Sequence, residues 1–201
     1  MFNTRNSGSP PAGRKPQATS RKPEPGSRQP EADRGFTLIE PLIVIAIVGI
    51  ISAIAMAGYR HARVSGSEAA AIAGLAAINQ AQFEFAQTCG NQRYSPTLAG
   101  LGVPAPGSGQ AFLSPDMTMD PLIKSGYQYV MAGTAVLDAA QTCNGLTPAA
   151  TYKVSADPTM PGVSGIRFFA TNTDRVIFAD TATFADDMPE TGAPGHGTEV
   201  K

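Results

Sequence analysis

Hydrophobic and polar positions divide the chain unevenly. From Phe36 to Ala57, 22 residues run with only Thr37, Glu40 and Ser52 polar. As a helix that run is about 33 Å long, enough to cross the hydrocarbon core of a bilayer. After Tyr59 the pattern changes. Arg60-His61-Ala62-Arg63 opens an Ala-rich stretch to about Thr88, in which Ile72, Leu75, Ala76, Asn79, Phe83 and Ala86 fall on one stripe. Their spacing predicts an amphipathic helix with a face to lay on a sheet. Glu68, Gln80, Glu84 and Gln87 fall mostly off that stripe, and Phe83 and Phe85 cannot both face it. Ser65-Gly66-Ser67 is the expected weak point or bend. Pro41 fits only the first helical turn, where N–H groups have no intrahelical partner, so the helix is expected to start near Leu38–Pro41, with Phe36–Ile39 frayed or extended.

Cys89-Gly90 ends the helix, with glycine as the usual stop. Residues 89–126 are rich in Pro and Gly and read as one long loop. Four strand candidates follow: Tyr127–Ala132, Thr151–Ser155, Gly165–Ala170 and Val176–Ala179. They alternate, or carry β-branched and aromatic residues. Asn172-Thr173-Asp174 has the residue types of a hairpin turn. Residues 181–201, with Pro189, Gly192, Pro194 and Gly197, read as a flexible tail. Residues 1–35 are Pro-, Ser- and Arg-rich, too poor in apolar side chains to fold, and read as a disordered leader. The expected fold is α+β: a long N-terminal α-helix packed by its second half on a small antiparallel β-sheet. The parts are residues 1–35 (leader), 36–59 (transmembrane and assembly helix) and 60–201 (head: helix 60–88, loop 89–126, sheet 127–180, tail 181–201).

Charge orients this layout. Residues 1–35 hold seven of the 15 Lys and Arg but only three of the 16 acids. Positive charge ahead of an apolar helix keeps the amino terminus cytoplasmic, so the head faces outward. The remainder, with eight basic and thirteen acidic residues, is mildly acidic, which argues against nucleic acid as a partner. Two cysteines, Cys89 and Cys143, read as a disulfide in an exported head, with two buried free thiols as the alternative.

The block Gly35-Phe36-Thr37-Leu38-Ile39-Glu40, the apolar run and the longer helix behind it resemble the type IV prepilins and type II secretion pseudopilins. The close likeness covers Arg34 to Thr88. It implies a ladle-shaped subunit, cut by a prepilin peptidase between Gly35 and Phe36 and N-methylated on Phe36. Glu40 is then the acid that meets the Phe36 amine of a neighbour, and Gly49 matches a family glycine beside a segment that loses helicity on assembly. Pro41 departs from the aliphatic residue usual after the acid, and Ala57 stands where the family has proline. The implied partners are further copies of the chain, minor pilins, the peptidase, an assembly platform and inner-membrane lipid. The implied location is a single-pass inner-membrane precursor with its amino terminus inside, then a periplasmic or cell-surface filament. Major secretion pseudopilins bind Ca²⁺ in a C-terminal loop, and Asp120-Pro121…Gly126-Tyr127 resembles their pattern. Asp116 and Asp120 are the candidate ligands, but no EF-hand spacing is present and scattered loop aspartates are usually solvated turns, so neither a metal nor any other cofactor is expected.

Two other readings stand beside this one. Ala55-Met56-Ala57 resembles the cleavage site of a secretory signal, against which stand the run's length and the acid within it. A membrane-tethered periplasmic enzyme or binding protein is the second. No G-x-S-x-G, H-E-x-x-H or phosphate-binding loop is present, and neither His61, beside the membrane, nor His196, in the tail, has an evident catalytic companion. Pilus subunit and secretion pseudopilin differ by partner rather than chemistry; the cysteine pair leans toward a pilin.

Overall fold

The computed structural model describes residues Thr37–Val200. The expected leader, the Gly35–Phe36 junction and Lys201 lie outside the described residues. The chain divides into two units, Met1–Ile43 and Val44–Lys201.

In the first unit, Thr37 and Leu38 precede the helix and α1 begins at Ile39 (Ile39–Thr88). The Glu40 N–H donates to the Thr37 carbonyl at 3.1 Å. Pro41 therefore sits in the first turn, where its missing N–H removes no bond. The start falls in the expected range Leu38–Pro41, and of the residues expected to be frayed only Ile39 is helical among those described.

The second unit carries the rest of α1, a short helix α2 (Leu98–Leu101), a 3₁₀ turn (Pro115–Met117) and six strands. These are β1 (Leu122–Lys124), β2 (Tyr127–Ala132), β3 (Lys153–Pro158), β4 (Phe168–Asn172), β5 (Ile177–Asp180) and β6 (Thr198–Glu199). They pair antiparallel in sequence order, a simple meander. One cross-strand row reads Leu122, Tyr129, Ala156, Phe169, Ala179. All five are buried, and with Ala71, Leu75, Ile78 and Phe85 of α1 they form the main core. Gly74 permits the close approach of helix to sheet, because a Cβ there would lie 2.6 Å from the Tyr129 hydroxyl.

The buried face of α1 keeps Leu75, Asn79 and Ala86 of the predicted stripe, with Ile72 half-buried, and departs from it elsewhere. Ala76 and Phe83 are exposed, whereas Phe85, Ile78, Gln82 and Glu68 are buried. The helix is too rich in alanine for apolar periodicity to fix its rotation. Buried polar residues fix it instead, because each finds a partner. Gln82 donates to the Ser95 carbonyl and accepts the Ser95 N–H, both at 2.9 Å. Asn79 donates to Thr171 Oγ1 at 2.9 Å and accepts from the Tyr152 hydroxyl at 3.0 Å. No break occurs at Ser65-Gly66-Ser67, where α1 runs on unbroken.

Two further expectations are corrected. The loop predicted over 89–126 contains α2, the 3₁₀ turn and β1. Ser125 (φ 52°) and Gly126 (φ 81°) turn β1 into β2, a two-residue hairpin with both φ positive. The tail, described over residues 181–200, is built into the second unit rather than loose. Phe184 and Met188 are buried with Ala170 and Phe178 on the sheet face opposite α1. Glu190 accepts from the Thr134 and Thr151 hydroxyls, and β6 pairs with β5. Its Gly192 and Gly197 make positive-φ turns.

The disulfide is formed: Cys89 and Cys143 are joined, with their Cα atoms 4.8 Å apart. It ties the end of α1 to the segment before β3.

Candidate functional site

The first half of α1 buries nothing. Ile45, Ile47, Val48 and Ile50 point around the helix in different directions, yet are 69, 51, 55 and 65 % exposed. A soluble helix leaves its polar face in water; one that is apolar all round needs lipid or other helices. Among the described residues this is the one helix long and apolar enough to cross a membrane.

The predicted assembly residues lie on this rod. Glu40 is in its first turn, exposed. Gly49 lies nine residues on, and a Cβ there would meet no atom within 4 Å. The same holds for Gly58 and Gly66. Mid-helix glycine costs about 1 kcal/mol relative to alanine. Gly74 has its reason inside the second unit; for Gly49 no reason appears within the described residues.

Beyond the rod, α1 is fastened by a carboxylate the sequence reading placed off the packed face. Glu68 Oε1 accepts the N–H groups of Ile166 (2.9 Å) and Arg167 (3.1 Å), and Oε2 accepts Arg167 Nε at 2.8 Å. Those N–H groups are thereby drawn away from strand pairing, which is why β4 starts at Phe168 rather than at Gly165. Burial pushes the Glu68 carboxyl up, but the two backbone N–H groups and the guanidinium outweigh it and hold it below the usual value. A lowered folded-state pKa means stability that is complete above 4.5, the usual value, and is lost as pH falls through the folded one. Glu68→Gln should therefore cost about 1 kcal/mol at neutral pH, a modest figure because Arg167 is half exposed to solvent. The gap between wild-type and variant melting temperatures should close on acidification. A gap independent of pH would remove the ion pair from the account.

Asp116 pairs with Lys124 and accepts the Ser114 hydroxyl, and the Lys124 hydrogen bond leads in holding its carboxyl low. Asp120 is pushed up by burial, against the pull of the Met131 and Leu98 N–H groups. Among the described residues no three His, Cys, Asp or Glu are grouped to hold a metal ion. His196 stacks on Phe184, ring centroids 4.6 Å apart, and its Nδ1 lies 2.7 Å from Asp180 Oδ2. The sequence offered no signal for either contact.

Residues 32–56 match the family model described as the prokaryotic N-terminal methylation motif. No curated protein and no solved structure matched the chain.

Proposed function

We propose that this chain, which bears the hallmark motif of the type IV prepilin and pseudopilin family, is a structural subunit of a type IV pilus-like filament. It enters the inner membrane with its amino terminus inside, is cut after Gly35, is N-methylated on Phe36, and polymerises through the first half of α1. The observation that carries this reading is the rod directly behind the motif, which is exposed on every side.

Such a rod has two stable environments, lipid and a bundle of like rods. Small residues let helices approach closely in the second. Gly49 fits that use, since its missing Cβ faces open space within the described residues. A head-to-tail contact that does not close into a ring builds a helical filament. Glu40 near the start of the rod would meet the Phe36 ammonium of the next subunit. Minor pilins, the prepilin peptidase and an assembly platform are the remaining partners. The formed Cys89–Cys143 bridge favours a pilus subunit over a secretion pseudopilin.

Sequencing the amino terminus of the processed chain tests the first step. The expected residue is N-methylated Phe36. Gly58 would instead support secretory cleavage after Ala57, and any residue upstream of Phe36 would remove the proposal. Electron microscopy of sheared surface filaments, with and without the chain, tests the last step.

A further inference from the structure

At the head-side end of the rod, Met56, Tyr59, Arg60, Arg63 and Val64 share one side of α1. Across from them stand Gly162 and Val163, at the tip of the turn between β3 and β4. A cleft of about 410 Å³ separates the two. That size lies within the range of sites for small ligands.

The turn is fixed in place. Gly162 N–H donates to the Gly165 carbonyl at 2.7 Å, and the Val163 N–H to the Met160 carbonyl at 3.0 Å. Its C-terminal end is held to α1 by Glu68 through the N–H groups of Ile166 and Arg167. Yet it presents Met160 and Val163 to solvent, both more than half exposed. An exposed apolar side chain, Val163, on a hydrogen-bonded turn thus stands beside two cations. Among the described residues neither Arg60 nor Arg63 forms an ion pair.

We propose that this cleft holds the phosphate of an anionic phospholipid headgroup while the subunit waits in the membrane. The inference rests on the membrane-inserted reading above. If residues 36–57 span the hydrocarbon core, Tyr59, Arg60 and Arg63 fall at the headgroup level, where tyrosine and arginine concentrate. Arg60 and Arg63 are three apart, so both reach the same side of the helix. Two guanidinium groups suit one phosphate, while Met160 and Val163 dip into the upper acyl region. A second copy of the chain is the other candidate occupant. The cleft's continuity with the membrane-spanning segment and its positive charge favour lipid.

The test uses the full processed chain in single-copy nanodiscs of phosphatidylcholine, with or without about 30 mol % phosphatidylglycerol, the lipids brominated near the top of the acyl chains. Val163→Trp supplies the reporter, since the chain has no tryptophan. Fluorescence quenching should be strong with phosphatidylglycerol. It should fall about fivefold or more, to the phosphatidylcholine level, on adding Arg60→Gln and Arg63→Gln. Native mass spectrometry of the chain without the reporter should show retained phosphatidylglycerol, lost with the same two arginines. Equal quenching in both lipids overturns the inference, as does quenching that ignores the arginines or appears only with two copies per disc. Displacement by inorganic phosphate would also overturn it, assigning the cleft to a soluble anion. A chain that never enters the disc sinks the membrane reading itself, an outcome distinct from insertion without quenching.

Discussion

Glu40→Ala should still insert in the membrane and lose its amino-terminal leader, yet yield few or no sheared filaments. The argument starts from the surroundings of the residue. Glu40 is the one ionisable side chain between Phe36 and Ala57, and the residues around it are exposed aliphatics. In a bundle of such rods an unpaired carboxylate is strongly disfavoured, while one paired with the Phe36 ammonium of a neighbour is satisfied. Removing one partner of a buried pair costs about 3–5 kcal/mol, because the other charge stays buried alone. Spread over an assembly contact, that is a loss of about a hundredfold or more in affinity. The pair would thus set axial register rather than add net stability. Alanine removes a charge from the apolar segment, so insertion should not suffer. The decisive measurement is filament mass per cell alongside the amount of processed subunit in the membrane. Wild-type filament yield from processed Glu40→Ala chains would remove the role given to Glu40.

How far the fold could be read in advance follows from where the chemistry is concentrated. The rod was legible because its hydrophobicity is extreme and unbroken, and the start of α1 because Pro41 tolerates few positions. The Asn172 turn was legible too: its Oδ1 accepts the Asp174 N–H at 3.1 Å, the local bond that makes asparagine a turn residue. The rotation of α1 was legible only in part: Leu75, Asn79 and Ala86 are buried as their spacing suggested, Ala76 and Phe83 are not. With alanine at so many positions, the deciding contacts are Gln82 to Ser95, Asn79 to Thr171 and Glu68 to Arg167. Their partners lie 13, 92 and 99 residues away, and no local pattern announces such pairs. The tail failed for a related reason. Phe184 and Met188 are two lone apolar residues among turn formers, and only the open sheet face at Ala170 and Phe178 gives them a place. Ser125-Gly126 was different: it is a hairpin signal between short apolar runs, and the proline-rich context hid it. Of the candidate assembly segment, the apolar helix was visible because it depends on no tertiary contact.

The largest effect expected within the second unit is that of the disulfide. Cys89 is buried at the end of α1, and its carbonyl accepts the Cys143 N–H at 2.9 Å. The bridge closes a separation of 54 residues, which in the chain-entropy model stabilises by about 4 kcal/mol. The enclosed segment carries α2, β1 and β2, and with them Leu98, Leu101, Tyr127 and Tyr129 of the core. When Cys89 and Cys143 are both replaced by serine, the thermal midpoint should fall by about 10 °C, given the 2–4 °C per kcal/mol typical of units this size. Reduction of the wild-type chain should reproduce the loss, and a fall of under about 2 °C would reject the bridge as a principal restraint. The two variants should fail at different stages. Glu40→Ala should melt like the wild type and not polymerise, because its defect lies in a contact between chains. The serine pair should keep the apolar rod and the acid, and lose filaments only as its second unit unfolds. Lowering the temperature should therefore restore filaments to the serine pair and not to Glu40→Ala; rescue of both would collapse the distinction between a contact that directs assembly and a bond that holds a fold.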